Sequence, residues 1–397
     1  MEIPHNNYDV TLNALKGVRS KIDSLEEAAS NSYIFLGFDG YVDYLYNLVK
    51  NRETVDTWSL MTSMKQLGDR CYEAAGSSTN IERILKRKIC GGFAPNTGKA
   101  LWNLGHRVVL VAAMGYPKAK EIFKVYPEYV EDISINKPGE TIGLEFEDGK
   151  IMITDFSNIF NINWDVITRK IRIPQLIDRF NLCDAYGLGH WSLFPEMNNI
   201  WRKIKDEIFP SVSDLKQKIF FVDLADLKKR SDKDIEKALD LLQEIEDKVL
   251  VCLCLNDKEA IDISRVIKGV EELNPNKPNF EDYIEAGIDI NEALNFSYLI
   301  IHEPHFATIT TKNDHYWVNE GFTSKPKYTT GAGDHFNGAT LSGLVLGLEP
   351  AEAILFGNAN SAIFVRTGES PDFKNMKKYI SNYLDYIKSD VHEFKFI

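Results

Sequence analysis

Short, nearly continuous runs of hydrophobic residues alternate along the chain with longer segments in which hydrophobic residues recur every three or four positions. The short runs are typical of strands buried on both faces, and the periodic segments are typical of amphipathic helices. The predicted strands cover residues 33–38, 108–115, 184–189, 218–224, 248–256 and 295–303. The predicted helices cover approximately residues 96–104, 195–209, 231–246, 257–270, 334–347 and 350–365. This alternation favours an α/β fold with helices on both faces of a mostly parallel sheet.

Two segments depart from this alternation. Residues 140–158 alternate hydrophobic and polar positions around Asp148-Gly149, which is the signal of an antiparallel hairpin. A second insertion lies near residues 44–90, and its stretch WSLMTSMKQLGDRCYEAA has a helical pattern. We interpret the two insertions, near 44–90 and 139–158, as a small lid beside the main sheet.

The N-terminal segment and one internal stretch complete the predicted arrangement of domains and loops. The pattern of LNALKGVRSKIDSLEEAAS predicts an amphipathic helix, so we divide the chain into an N-terminal helical extension at 1–30 and a main domain at 31–397. The composition of NPNKPNF, residues 274–280, predicts a loop.

Composition narrows the class of protein. The net charge of −12 argues against general nucleic-acid binding but allows a small anion in a local pocket. The N-terminal residues lack the pattern of a signal peptide, and no hydrophobic run approaches the ~20 residues of a membrane-spanning helix. The five cysteines form no CxxC pair and indicate reduced thiols in a cytoplasmic protein. Two of them, Cys252 and Cys254, lie in a hydrophobic run that indicates a core strand rather than a metal site.

The stretch TTGAGDHFNGA, residues 329–339, places two glycines and an alanine before Asp334 at a predicted helix start. A helix that begins there directs unpaired backbone N–H groups and its positive dipole end at the glycine loop, which suits a phosphate or a transferring phosphoryl group. The carboxylate of Asp334 could take a proton from an attacking hydroxyl. The alternative, at about even weight for these residues alone, is an Asp helix cap after a glycine-rich turn.

Two further stretches carry candidate polar groups. In LNDKEA, Asn256 and Glu259 could hold the hydration shell of Mg²⁺, or they could form a helix-capping box. In GFDGYVD, Asp39 and Asp43 follow the first strand, at the edge of an open α/β sheet where ligands bind. Carboxylates there could accept hydrogen bonds from sugar hydroxyls, or they could be solvated loop residues.

Standard nucleotide fingerprints are absent. GGFAPNTGKA lacks the glycine spacing of a P-loop, and Ala100 replaces its Mg²⁺-binding hydroxyl residue. GAGDHF and GLGHWS begin like dinucleotide-binding loops, but Phe336 and Ser192 replace the third glycine. The sequence is therefore a poor match to a Rossmann dehydrogenase.

The order of the motifs resembles that of the PfkB, or ribokinase-like, carbohydrate kinase family. GFDGYVD, CGGFAPNTGKALWNLG, ETIGLEFEDGK, LNDKEA, TTGAGDHFNGA and GNANSA follow one another over about residues 31–370, and GAGD is the most specific of them. The resemblance implies a three-layer α/β/α domain with a mostly parallel central sheet and a small lid. It also implies Mg²⁺-dependent transfer of the terminal phosphoryl group of ATP to a hydroxyl of a sugar or sugar-like acceptor.

The resemblance also implies roles for particular residues. Asp334 would be the general base, and the backbone of Gly331, Ala332 and Gly333 would form the anion hole. The residues expected to contact the acceptor are Asp43, Gly91, Gly92 and Asn96, together with Asp39. The residues expected to contact the nucleotide are Asn256, Glu259, Thr330 and Asn358, of which Asn256 and Glu259 would hold Mg²⁺ through water.

Two departures from the family pattern bear on the donor end. Many relatives are activated by K⁺ through an Asp that precedes GAGD, and Tyr328 stands in that place here. The stretch HEPHFAT, residues 302–308, lacks the glycine that relatives carry in the corresponding loop. Three alternatives therefore stay open: a nucleoside acceptor, ADP as donor, or a non-catalytic sugar- or nucleotide-binding regulator of the same fold. Because related lids often build dimer interfaces, a homodimer is a further expectation, with no nucleic acid or membrane as partner.

Overall fold

The computed structural model describes residues 8–269 and 280–397. The strands in these ranges are β1 (Tyr33–Phe38), β2 (Tyr41–Arg52), β3 (Trp58–Leu60), β4 (Arg83–Gly91), β5 (Arg107–Ala112), β6 (Glu131–Ser134), β7 (Gly139–Phe146), β8 (Gly149–Asp155), β9 (Ala185–Leu188), β10 (Ile219–Asp223), β11 (Leu250–Asn256), β12 (Tyr298–Glu303), β13 (Phe306–Thr310) and β14 (His315–Asn319). The α-helices are α1 (Tyr8–Ala29), α2 (Met64–Glu73), α3 (Phe93–Asn103), α4 (Ser157–Phe160), α5 (Trp164–Lys170), α6 (Ile173–Leu182), α7 (Met197–Lys203), α8 (Asp232–Glu246), α9 (Asp257–Lys268), α10 (Phe280–Leu294), α11 (Ala332–Val345), α12 (Pro350–Thr367), α13 (Phe373–Ser381) and α14 (Tyr383–Lys388).

The central sheet has nine strands in the described residues, in the order β14-β13-β12-β11-β10-β9-β1-β5-β6. The strands from β12 to β6 run parallel, and β13 and β14 add an antiparallel edge. Parallel strands place their carboxyl ends on one edge of the sheet, and β1, β9, β10 and β11 are consecutive neighbours there. Polar residues that follow these four strands are therefore brought together, although they are far apart in the sequence.

Helices cover both faces of this sheet and create two hydrophobic cores. Along β1, Phe35 packs into the core with helices α5 to α10, and its neighbours Ile34 and Leu36 pack into the core with α1, α3 and α11 to α14. The same alternation holds along β10 and β11, because successive side chains of a strand point to opposite faces. The three-layer α/β/α fold with a mostly parallel sheet is thus confirmed.

The second sheet, which we call the lid sheet, consists of β2, β3, β4, β7 and β8. Strand β2 pairs with both β4 and β7 over its first residues and with β3 over its last. Its buried apolar centre contains Leu48, Met61 and Leu144. Side chains of this kind contribute about 1.5–3 kcal/mol each when fully buried. A core this small therefore gives the lid sheet little stability of its own.

Helix α1 packs against α12, α13 and β14 rather than standing apart from the main domain. It contributes Leu15 and Val18 to the core on one face of the sheet. Lys21 pairs with Glu352 of α12 at 2.7 Å. The described part of the predicted N-terminal extension, Tyr8–Ala29, is therefore an integral part of one helical layer, and residues 1–7 of that prediction lie outside the described residues. Among the described residues, no helix is both long enough and apolar enough to cross a bilayer.

The predicted strands and helices lie close to observed ones, and several boundaries differ. Of the helix predicted at residues 58–75, only α2 is helical. Residues 58–60 instead form a strand that pairs with β2. Ser63 then caps α2 by accepting a hydrogen bond from the N–H of Gln66. The helix predicted at 195–209 is α7, continued by a π-helical turn at Ile204–Ile208. The helix predicted at 257–270 is α9, which ends at Lys268 with Gly269 as its left-handed cap. Residue 270 and residues 274–279 of the predicted loop lie outside the described residues. The last residue of that predicted loop, Phe280, begins α10.

Candidate active site

Asp39 lies directly after β1 and holds two other elements of the site. Its carboxylate accepts hydrogen bonds from the backbone N–H groups of Phe93 and Ala94, both at 2.8 Å, at the start of α3. It also accepts from Nδ1 of His190 at 2.8 Å. Because Asp39 is fully buried and has three donors, the geometry favours a supporting role over direct contact with an acceptor.

Asp43, four residues further along in β2, is also largely buried. Burial raises the pKa of Asp43, and a hydrogen bond from Thr141 and the charge of Lys150 offset part of that effect. A Cβ atom on Gly91 would lie 2.2 Å from Oδ2 of Asp43, so only glycine leaves room for this carboxylate. At Gly92, where φ is 106°, a Cβ atom would lie 2.9 Å from Oδ2 of Asp39. The two glycines therefore admit the two carboxylates, which the sequence motif alone does not reveal.

Asp334 lies between these carboxylates and the glycine loop. Its Oδ2 accepts a hydrogen bond from Nδ2 of Asn96 at 2.8 Å, and its Oδ1 lies 3.9 Å from Nε2 of His190. Burial raises the pKa of Asp334 to about 7; Asp223 and Asp39 add to this effect, whereas His190 and Asn96 oppose it. A carboxylate with that pKa can take up a proton near neutral pH, as a general base must.

Helix α11 begins two residues earlier than the sequence predicts. Gly331 is its N-cap, with φ of 90°, and Ala332 is the first helical residue. Asp334 is therefore in the first turn and not at the cap, so the alternative that its side chain caps the helix is wrong. The first N–H groups of a helix have no acceptor one turn earlier, so those of Gly333 and Asp334 remain free to face an anion.

A cavity of about 410 Å³ opens on the other side of the helix start. Its lining includes Asn256 and Asp257 at the end of β11, Ala332 and Gly333 of α11, and the turn of the HEPHFAT stretch between β12 and β13. The cavity has the volume of a small-molecule site and contacts the helix end to which an anion is attracted. This geometry suits a nucleotide whose phosphates reach the start of α11.

Asn256 and Glu259 form the capping box of α9. Oδ1 of Asn256 accepts from the N–H groups of Lys258 and Glu259, and Oε2 of Glu259 accepts from the N–H of Asn256 at 3.0 Å. Burial, followed by the charge of Asp223, raises the pKa of Glu259 well above its ordinary value. A cation beside these carboxylates would offset that cost, so the residues present fit hydrated Mg²⁺ as well as a helix cap.

Neither Thr330 nor Asn358 is among the residues that line this cavity. The hydroxyl of Thr330 accepts a hydrogen bond from Nζ of Lys150, which the lid sheet supplies from β8. Asn358 is fully buried within α12, and the residues of α12 that line the cavity are Ser361 and Val365. The structure therefore does not bring Asn358 to the cavity.

Sequence reasoning missed three groups that the fold adds to the site. His190 follows β9, Asp223 ends β10 and Lys150 begins the second strand of the predicted hairpin. Ligand atoms of His190, Asp223 and Asp334 lie within 4.8 Å of one another. The available signal was a polar residue at the carboxyl end of a predicted strand, in GLGHWS and FFVDL, but it becomes informative only when the strand order is known.

Both the sequence and the fold are similar to those of known proteins. The family model described as prokaryotic ketohexokinase matches residues 9–383. The ketohexokinase of Haloferax volcanii is 27% identical over 366 residues, which cover 92% of this chain and 95% of that protein.

Solved structures that share the fold include two ribokinases. The Arabidopsis thaliana ribokinase complexed with ribose and ATP superposes with a TM-score of 0.58 at 13% identity, over 88% of this chain and 98% of that one. The Thermotoga maritima ribokinase gives a TM-score of 0.57 at 17% identity, over 89% of this chain and 99% of that one.

Proposed function

The chain belongs to the prokaryotic ketohexokinase family, and we propose that it transfers the terminal phosphoryl group of ATP to a hydroxyl of a ketohexose with Mg²⁺. As a member of this family it is a carbohydrate kinase, that is, a phosphotransferase with an alcohol acceptor. The observation that carries the proposal is the position of Asp334, between a polar acceptor end at Asp43 and a cavity at the start of α11.

The acceptor end suits a polyhydroxylated molecule. Asp43 and Asn96 provide polar atoms, and Gly91 leaves the space that the Asp43 carboxylate occupies. Lys150 comes from the lid sheet. Burial lowers its pKa, and the charges of Glu145, Asp43 and Asp334 offset part of that effect. A sugar enclosed there would be bound by hydrogen bonds to charged groups, which are stronger than those between neutral ones.

The donor end suits ATP. The cavity at the start of α11 has room for a base and ribose, and the free N–H groups of the helix would face the terminal phosphate. Asn256 and Glu259 would hold Mg²⁺ through water, and the ion would neutralise phosphate charge during transfer.

The proposed mechanism uses position and charge. Asp334 accepts the proton of the acceptor hydroxyl as its oxygen attacks the terminal phosphorus, and ADP leaves on the opposite side. Negative charge on the phosphoryl oxygens is stabilised by the N–H groups at the start of α11. Because Lys150 contacts Thr330 beside this helix start, it couples closure of the lid sheet to completion of the anion site and to exclusion of water.

The test is a coupled assay of the full chain with ketohexoses, aldohexoses and nucleosides, with ATP or ADP as donor, and with Mg²⁺ or EDTA. We expect the highest kcat/KM for a ketohexose with ATP and Mg²⁺, and we expect EDTA to abolish turnover. Faster turnover of a nucleoside, or with ADP, would contradict the proposed acceptor or donor while leaving the fold assignment intact.

A homodimer through the lid sheet is part of the proposal. The lid sheet exposes several large hydrophobic side chains, among them Trp58, Leu85 and Ile153. Apolar side chains on an exposed sheet are characteristic of interaction surfaces. Light scattering on the wild type and on Ile153→Lys would test this, because a charge in a dimer interface should shift the mass towards the monomer.

A further inference from the structure

His190 occupies a position that the proposed mechanism does not yet use. It follows β9 after one glycine, and its φ of 58° is a left-handed conformation that is uncommon for residues other than glycine. The imidazole lies between two carboxylates: Nδ1 is 2.8 Å from Oδ2 of Asp39, and Nε2 is 3.9 Å from Oδ1 of Asp334. Asp39 itself is held by the start of α3, so the ring has a fixed direction.

His190 is a cation in this environment. Burial alone would lower the pKa of His190, but the charge and hydrogen bond of Asp39, with contributions from Asp223 and Asp334, raise it to about 10. Both ring nitrogens therefore carry protons at neutral pH, and Nε2–H is directed towards Asp334 without reaching it. The titratable groups that surround this pair from neighbouring elements are Asp39, Asp43, Cys90, Lys150, Asp223 and Glu259.

We propose that His190 is a positioning residue that binds the reacting hydroxyl: Nε2–H donates to its oxygen while Asp334 accepts its proton. This inference rests on the proposed kinase reaction and adds a residue to it.

The gap between His190 and Asp334 supports this role. At 3.9 Å, Nε2 and Oδ1 are too far apart for a hydrogen bond to each other. An oxygen about 2.8 Å from each atom fits between them with roughly a right angle at the oxygen. In a hydroxyl with that placement, the proton points to Asp334 and one lone pair points to His190. The remaining lone pair is the one that can attack phosphorus, so the two side chains set the rotation of the hydroxyl.

The bonds in the step balance without a further reactant. The O–H bond of the acceptor breaks and its proton goes to Asp334, a new O–P bond forms, and the bond between the terminal phosphorus and ADP breaks. His190 keeps its proton throughout. Its charge stabilises the oxygen as negative charge develops and keeps Asp334 ionised at lower pH than it would be alone.

The test compares His190→Asn with His106→Asn. Asparagine tolerates the left-handed backbone at 190 but supplies no positive charge. His106 is a matched control because it is also buried and bonded through both nitrogens, to Ser32 at 2.6 Å and Ser342 at 2.7 Å, away from the site. The pH dependence of kcat/KM is measured for each protein, with the sugar that the wild type phosphorylates fastest.

For His190→Asn we expect kcat to fall about tenfold or more and the acidic midpoint of the pH profile to rise by roughly half a unit or more. We expect the KM for the nucleotide to stay within about twofold, and we expect His106→Asn to change none of these quantities. An unchanged acidic midpoint together with near-normal kcat in His190→Asn would overturn the proposal.

A second measurement does not depend on the acceptor assignment. Nitrogen NMR of the imidazoles, with the His190 signal identified by its loss in His190→Asn, should show a ring protonated on both nitrogens at pH 8. A neutral ring at that pH would overturn the proposal even if ketohexose turnover is confirmed. If the His190 ring is protonated but the protein does not phosphorylate a ketohexose, only the proposed acceptor is contradicted.

Discussion

The two ends of the cleft that we propose for the acceptor and the donor are built in different ways. At the acceptor end, side chains hold one another: Asp39 binds the start of α3 and His190, and Asn96 binds Asp334. At the donor end, a cavity of about 410 Å³ is bounded by a helix start, a capping box and a hairpin turn. A small sugar needs a close set of oriented polar groups, whereas a nucleotide needs volume and backbone N–H groups for its phosphates.

The ends also differ in how negative charge is compensated. The acceptor end carries cations of its own, His190 and Lys150, beside its carboxylates. Among the described residues that line the donor cavity, Asp257, Glu303 and Glu320 are acidic and none is Lys or Arg. Burial raises the pKa of Glu303 to about 7, and it raises the pKa of Glu320 well above its ordinary value. We infer that the donor end receives its cation with the ligand, whereas the acceptor end carries part of its compensating positive charge in its own side chains.

The largest effect should come from the residue between the two ends. Asp334→Asn removes the proton acceptor but keeps the shape of the side chain, so kcat should fall ~10²-fold or more, about 2.7 kcal/mol, while nucleotide affinity persists. Steady-state kinetics and nucleotide titration measure the two quantities. Asp372→Asn is the control, because Asp372 is the N-cap of α13. We expect this variant to have a near-normal kcat. Near-normal kcat in Asp334→Asn would leave that residue without a catalytic role.

Loss of Asp43 should affect the acceptor end alone. In Asp43→Ala the KM for the acceptor should rise by about tenfold or more, because a hydrogen bond to a charged group contributes ~1.5–3 kcal/mol. Nucleotide affinity should stay within about twofold. Separate titrations of the two ligands provide the measurement, and a loss of nucleotide affinity without a loss of acceptor affinity would mean that the ends are assigned the wrong way round.

The pH dependence should follow Asp334. The active form is the carboxylate, and burial raises its pKa to about 7, so kcat/KM should fall as pH decreases through 7 and level off above it. Well below that midpoint the fall should approach tenfold per pH unit. A profile that stays flat down to pH 5 would mean that the free enzyme keeps Asp334 ionised there or does not use it as a base.

Glu259→Gln tests the donor end. Removing this charge should raise the Mg²⁺ concentration for half-maximal activity by about tenfold while the KM for the acceptor stays nearly constant. Titrating Mg²⁺ at fixed ATP measures this effect. An unchanged Mg²⁺ requirement would leave Glu259 as a partner in the capping box of α9 only.

The smallest effect should come from the monovalent cation. The ring of Tyr328 replaces the carboxylate that relatives use for K⁺, and its face already contacts the guanidinium of Arg87, with 4.6 Å between the guanidinium carbon and the ring centroid. Activity should therefore change by less than about threefold when a bulky organic cation replaces K⁺, since loss of ~1.4 kcal/mol would already be tenfold. Ionic strength must be held constant, because screening alone alters nucleotide binding. Strong, saturable activation by K⁺ would show that other oxygens rebuild the site.

The fold class and the residues of the local motifs follow from the amino-acid sequence alone. Hydrophobic runs such as 33–38 and 218–224 predicted buried strands, because burial on both faces leaves a continuous apolar pattern. GAGD and LNDKEA predicted a helix start and a capping box, because both depend on residues within one turn of each other. Even so, the helix start was displaced by two residues, since Gly331 turns the chain before Asp334.

The meeting of residues that are distant in the sequence depends on the tertiary fold. His190 is separated from Asp39 by 151 residues, and Lys150 is separated from Thr330 by 180 residues, yet each pair is hydrogen-bonded. Their meeting depends on the order of parallel strands and on the docking of the lid sheet, which local periodicity does not encode. The raised pKa of Asp334 likewise depends on the folded chain. It arises from burial and from the nearby charges of Asp223 and Asp39, residues that only the fold brings together.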